Sequence, residues 1–263
     1  MNLAEIEQIV FANKPLSVSA QEQNTIFESY NFLLNFTKDK IIYGINTGFG
    51  PMAQYRISNE ELNALQYNII RSHSTGVGEP FAPLYVRAAM LSRFATFLNG
   101  KSGIQPDVMQ LLQTFINKGI YPVIPQHGSV GASGDLVQLA HMALALIGEG
   151  EVFYEGRRRP TAEVLTLLNI KPLKLHLRDG LALVNGTAMM TGVGLVNLYH
   201  AKRLLSFATL ASVLINEVAA SYDDFMAPEL NEVKKHVGQK HIAQKMREFA
   251  SGGKCLLKRE TEM

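Results

Sequence analysis

Residues 128–150 read Gly-Ser-Val-Gly-Ala-Ser-Gly-Asp-Leu-Val-Gln-Leu-Ala-His-Met-Ala-Leu-Ala-Leu-Ile-Gly-Glu-Gly. From Leu136 onward the apolar residues recur as a helix requires: Leu136, Leu139, Ala140, Ala143, Leu144 and Ile147 fall at i, i+3, i+4, i+7, i+8 and i+11, a stripe on one face. Gly148 and Gly150 close it. This is the clearest helix signal in the chain, and small residues from Gly128 to Gly134 make a flexible backbone leading into its N-terminus.

Three readings of that approach compete. In the first, Ser133 or Asp135 is an N-cap and the glycines merely permit the turn; Ala-Ser-Gly alone would arise by chance in roughly one chain in ten of this size. In the second, the free amides at the helix start attract an anion. Against it, no lysine follows in the phosphate-loop position and no strand signal precedes the segment. In the third, the backbone itself reacts. The Gly134 amide nitrogen attacks the Ala132 carbonyl, and Ser133 then dehydrates to an exocyclic methylidene. Glycine removes the Cβ that would hinder so tight an approach, alanine keeps the ring uncrowded, and serine supplies a hydroxyl that can leave. The product is a methylidene-imidazolone, MIO.

Outward from this centre the chain reads mainly as α-helix. Ser19 with Glu22 and Ser58 with Glu61 have capping-box spacing, each before helical apolar recurrence. Helices are predicted over 83–98 and 106–117, each opened by a proline, with Gly100 and Gly119 placed to end them. Glu155-Gly156 between 151–154 and 157–159 suggests a small hairpin, after which Pro160 and Thr161 open another helix. The stretch 181–199 reads as a buried, mostly helical segment, because Asn185, Thr187, Thr191 and Asn197 interrupt the apolar run that a membrane span needs. A long buried helix is predicted over about 187–221. Residues 231–263 are charged and amphiphilic, without an evident closing element, and look cut.

Bulk properties narrow the function classes. The 263 residues are 47% hydrophobic and 18% charged, an ordinary globular composition with room for a sizeable core. The net charge of +2 is spread along the chain, and its one dense basic run, Arg157 to Arg159, has no interleaved aromatics, so nucleic acid is not expected as a partner. Cys255 is the sole cysteine, which forbids an intrachain disulfide and a thiolate cluster. Glu5 and Glu7 stand where a secretory signal would carry Lys or Arg, so a cytoplasmic location is expected. His127, His141 and His200 read as structural, with no convincing metal spacing.

The run Gly128 to Leu136 resembles the MIO signature of the histidine, phenylalanine and tyrosine ammonia-lyases. Two more segments match the same family in the same order: Tyr43-Gly-Ile-Asn-Thr-Gly-Phe-Gly50 resembles its tyrosine loop, and Gly180-Leu-Ala-Leu-Val-Asn-Gly-Thr187 its asparagine segment. Taken singly, a tyrosine beside glycine is a packed aromatic and Asn185 a cap of the long helix; together with the triplet they form a specific set. The similarity runs from Ile41 to the C-terminus and corresponds to the N-terminal half of the family chain. It implies a mainly α fold with small β hairpins: an MIO-containing domain over 1–186, then the beginning of a central bundle of long helices over 187–263.

The resemblance also implies chemistry. Ala132, Ser133 and Gly134 form MIO without an external cofactor or metal, Tyr43 is the base for the β-proton, Asn185 is a hydrogen-bond partner of the prosthetic group or substrate, and His73 meets the substrate's ring. Loss of ammonia from an aromatic amino acid faces a poor leaving group and a β-proton of very low acidity; the first falls to MIO and the second to the base. A phenol serves as base only where positive potential or donated hydrogen bonds favour its anion, and the helix start near Asp135 is one such source. In the family the active sites are shared among the subunits of a homotetramer, and the carboxylate-binding arginine lies in the C-terminal half. Ser72-His73 suits tyrosine and histidine as substrates, whereas Phe49-Gly-Pro-Met-Ala-Gln-Tyr55, Leu65-Gln-Tyr-Asn68 and Asp135-Leu-Val-Gln-Leu139 resemble bacterial tyrosine ammonia-lyases more closely. The expectation is conversion of L-tyrosine to trans-p-coumarate, with histidine ammonia-lyase, an aminomutase of the same chemistry, or an inactive helical homologue as alternatives.

Overall fold

A computed structural model describes residues 1–38, 40–55, 57–58 and 61–258. It is mainly helical, in two compact units, Met1–Val196 and Asn197–Met263. In chain order the first unit holds α1 (Leu3–Phe11), α2 (Ala20–Phe36), α3 (Leu62–His73), β1 (Val77–Pro80), α4 (Pro83–Leu98), α5 (Pro106–Lys118), β2 (Tyr121–Pro122), β3 (Pro125–His127), α6 (Leu136–Leu146), β4 (Glu151–Tyr154), β5 (Arg157–Pro160), α7 (Thr161–Leu167) and α8 (Asp179–Val184). The long α9 (Ala188–Val218) begins in the first unit and continues into the second, which adds α10 (Pro228–Glu232) and α11 (Val237–Ala250).

The local signals explain most starts and stops. Ser19 and Glu22 exchange both bonds of a capping box ahead of α2, and Asn2 and Glu5 do the same ahead of α1. Pro83 and Pro106 sit in the first turns of α4 and α5, where their missing N–H is not needed, and α5 ends on left-handed Gly119. The expectation at Ser58 is corrected. Its hydroxyl bonds the Glu61 carboxylate at 3.0 Å and its carbonyl takes the Glu61 N–H, closing a separate turn, so α3 starts only at Leu62 with no side-chain cap.

The core of the first unit is built from α4, α5 and α6, where Phe94, Phe97, Leu112, Phe115 and Leu139 are fully buried. The burial of α6 exceeds its predicted stripe, since Met142, Ala145 and Leu146 are buried too. Two small antiparallel sheets edge this core: β4 pairs with β5 as the hairpin signal indicates, β2 joins the outer side of β4, and β1 pairs with β3. The pairings of β2 and β3 are long-range and had no sequence signal. The apolar stretch from Asp179 to Val218 is interrupted at 185–187, which separates the fully buried α8 from α9.

Candidate active site

The triplet lies in the turn between β3 and α6. Ala132 and Ser133 are exposed, Gly134 is half-buried, and the Ser129 hydroxyl accepts the Val137 N–H at 3.0 Å, folding the loop back on the first turn of α6. Gly134 has φ 103°, and a side chain there would collide with the Gly186 carbonyl. Only glycine satisfies both the angle and the approach. A short strand, β3, does precede this segment, contrary to the sequence reading; at three residues including a proline it left no periodic signature.

The N-cap reading of Asp135 also fails in an informative way. Asp135 occupies the cap position of α6 but makes no cap bond there. Its N–H donates to the Gly186 carbonyl at 2.7 Å, and its carboxylate accepts the Met190 N–H at 2.8 Å, in the first turn of α9. One residue thus ties the triplet to the asparagine segment and to the start of the long helix. Asn185 itself is exposed, in extended conformation, and is the C-cap of α8 rather than the cap of α9. Its carbonyl accepts from the Arg93 guanidinium at 2.7 Å.

Tyr43 is half exposed on the loop after α2. Its phenol oxygen accepts the Gly50 N–H at 3.1 Å, and its ring meets Phe49 edge-on at 6.2 Å. The loop is held through Gln66 of α3, a fully buried amide whose Nε2 donates to the Gly44 carbonyl at 3.1 Å while its Oε1 accepts the Leu181 N–H at 3.2 Å. Gln66 therefore links the Tyr43 loop to α8, the six-residue helix that ends at Asn185. Sequence reasoning missed both Gln66 and Arg93. The signal available was a polar residue within an apolar helix pattern, which names no partner.

His73 is the last residue of α3 and half-buried. Its Nδ1 lies 2.8 Å from the Ile69 carbonyl and 3.1 Å from the Ser72 hydroxyl. A carbonyl only accepts, so Nδ1 carries the proton, and in the neutral ring Nε2 is left as an acceptor. The segment after His73 runs beside the approach to the triplet: β1 pairs with β3, and the Gly76 N–H donates to His141 Nε2 at 3.1 Å. Burial pushes His141 below the usual histidine range, which suits an acceptor nitrogen. The structure thus joins Gly134 and Asp135 directly to the Asn185 segment, and brings Tyr43 and His73 to the same scaffold of α3, α6 and α8 through intermediates. Among the described residues, no three His, Cys, Asp or Glu come together to hold a metal.

The sequence matches the family model of the aromatic amino acid lyases over residues 1–263. It is 38% identical over 257 residues to a histidine ammonia-lyase of Geobacillus thermodenitrificans, covering 97% of this chain and 51% of that protein. It is 48% identical over 212 residues to a tyrosine 2,3-aminomutase of Myxococcus sp., covering 80% and 40% respectively. The fold superposes on the crystal structure of a tyrosine aminomutase from Streptomyces globisporus with a TM-score of 0.94 at 32% identity, over 99% of this chain and 49% of that one. The chain spans about half the length of the relatives it matches.

Proposed function

The chain belongs to the aromatic amino acid lyase family, and we propose that it carries the electrophile-forming part of an MIO-dependent carbon–nitrogen lyase acting on L-tyrosine. The observation that carries this reading is the 2.7 Å bond from the Asp135 N–H to the Gly186 carbonyl, which seats the triplet against the asparagine segment. The residues present fit the group in that Gly134, at φ 103°, has no Cβ to hinder the approach of its nitrogen to the Ala132 carbonyl. Formed there, MIO supplies an electrophilic carbon for the substrate's amino group.

The chain's own residues do the rest. His73 Nε2 accepts a hydrogen bond from the para-hydroxyl, which orients the ring; phenylalanine brings no donor and leaves that nitrogen unpaired. Tyr43 takes the β-proton as the Cβ–H bond breaks, the electron pair becomes the Cα–Cβ double bond, and the Cα–N bond breaks. The products are trans-p-coumarate and ammonia. Asn185, exposed and next in sequence to the Gly186 that meets Asp135, is the proposed hydrogen-bond partner of the prosthetic group or substrate. The proposed assembly is a homotetramer with shared active sites.

A second reading has its own support. The 48% identity to a tyrosine 2,3-aminomutase favours tyrosine as substrate with return of ammonia to Cβ, giving β-tyrosine. Assay of a family-length protein carrying this sequence separates the readings. Coumarate release from tyrosine is expected to exceed urocanate release from histidine by a wide margin in kcat/KM, without accumulation of β-tyrosine. Faster urocanate release would reassign the substrate to histidine, and dominant β-tyrosine would reassign the reaction.

A further inference from the structure

We infer that Arg93 is a positioning residue for closure of the Ala132-Ser133-Gly134 ring, acting through the Asn185–Gly186 peptide; this rests on the reading of the triplet given above. Arg93 lies on α4, is 4% exposed, and packs its guanidinium 4.9 Å from the Phe97 ring centre. Nη2 donates to the Asn185 carbonyl at 2.7 Å, and Nη1 occupies the place that a Cβ on Gly186 would take. Nε has no hydrogen-bond partner among the described residues. No ion pair to Arg93 is found among the described residues, and the charge that acts on it is another cation, Arg178; burial and that neighbour push it down to about 10.

A buried guanidinium without a carboxylate is a costly choice, and an apolar side chain of the same size would fill the space without that cost. What only the guanidinium supplies is direction. The Asn185 and Gly186 carbonyls lie on either side of Gly186, at φ 157°, and each is held by its own donor. The Arg93 guanidinium holds the Asn185 carbonyl and the Gly186 carbonyl accepts the Asp135 N–H at 2.7 Å, so Arg93 fixes the peptide adjoining the one that meets the triplet. That bond restrains the Gly134–Asp135 peptide, which directly follows Gly134 at φ 103°. Gly134 provides the nucleophile. Its nitrogen bonds to the Ala132 carbonyl carbon; the carbonyl oxygen leaves as water with the hydrogens of the Gly134 and Ser133 nitrogens; the Ser133 hydroxyl leaves with its own Cα hydrogen as a second water. Effective molarity in such a closure depends on how narrowly the attacking nitrogen is oriented.

The test uses this chain made by cell-free synthesis, with intact mass followed over time. Wild type is expected to lose two waters and Ser133→Ala none. Arg93→Met, which fills the space without donors, is expected to close roughly tenfold more slowly or worse while showing wild-type helical circular dichroism. Arg93→Lys, with charge but no fork, is expected to fall between them. Leu112→Ala serves as the stability control, since it empties part of the core away from the site and is expected to close at the wild-type rate. Closure of Arg93→Met at the wild-type rate, or slowing of Leu112→Ala to the same degree, overturns the inference and leaves the MIO reading standing. Wild type that keeps both waters overturns the two together. If Arg93→Met does not fold, Arg93→Lys carries the test, with slower closure supporting the assignment and an unchanged rate refuting it.

Discussion

Asp179 has no solvent exposure, and burial pushes its carboxyl up to about 6 although the amides of His176 and Gln105 and the side chain of Gln105 donate to it. The folded value stands above the ordinary 3.8, so the folded state holds this proton more tightly than the unfolded chain. Its contribution to stability is complete below about pH 4 and is lost as pH rises through about 6, by roughly 3 kcal/mol. Urea titrations at several pH values are expected to show this slope in wild type and not in Asp179→Asn; equal slopes would mean that the group is not desolvated. At the reacting end, Tyr43→Phe in a family-length protein is expected to lower kcat by about a hundredfold or more with little change in KM, as removal of a general base does. A rise in KM alone would demote Tyr43 to a binding contact. His73→Phe is expected to shift preference from tyrosine toward phenylalanine, because the stranded acceptor is gone.

Elements bounded by local chemistry were legible in the sequence. α4 and α5 announce themselves by a proline at the start and a glycine past the end, α6 by its apolar period, and the β4–β5 hairpin by Glu155-Gly156. The small strands β1, β2 and β3 were not legible, because two to four residues rich in proline carry no period and their partners lie far along the chain. The Ser58 box misled for a related reason: the spacing was right, yet the two side chains bonded to each other. The candidate site divides in the same way. Its reacting residues sit in recognisable segments, whereas the groups that hold those segments, Gln66, Arg93 and Asp135, act across the fold. Gln66→Leu therefore strands two buried backbone groups, the Gly44 carbonyl and the Leu181 N–H, at roughly 1–3 kcal/mol each. Chemical denaturation is expected to show that loss; an unchanged midpoint would remove Gln66 from the account.

On the scale of the whole molecule, the second unit buries Val213, Met226 and Ala243 but leaves a row of apolar residues on α9 open. Leu204, Phe207, Leu214 and Val218 of α9 are 70%, 62%, 57% and 90% exposed, and with Ala211 they fall at alternating spacings of three and four, the seam spacing of packed helices. Self-association through this seam is expected, and Phe207→Glu should shift the species seen by analytical ultracentrifugation toward monomer. The purified 263-residue chain spans about half the length of its relatives and is expected to show little lyase turnover by itself. The proposed ring closure draws only on residues of this chain. The intact mass of the folded chain is therefore the most direct measurement of the central claim: a mass short by two waters, restored to full length by Ser133→Ala apart from the missing oxygen, is the result this account predicts, and a folded wild-type chain at its full unmodified mass would contradict it.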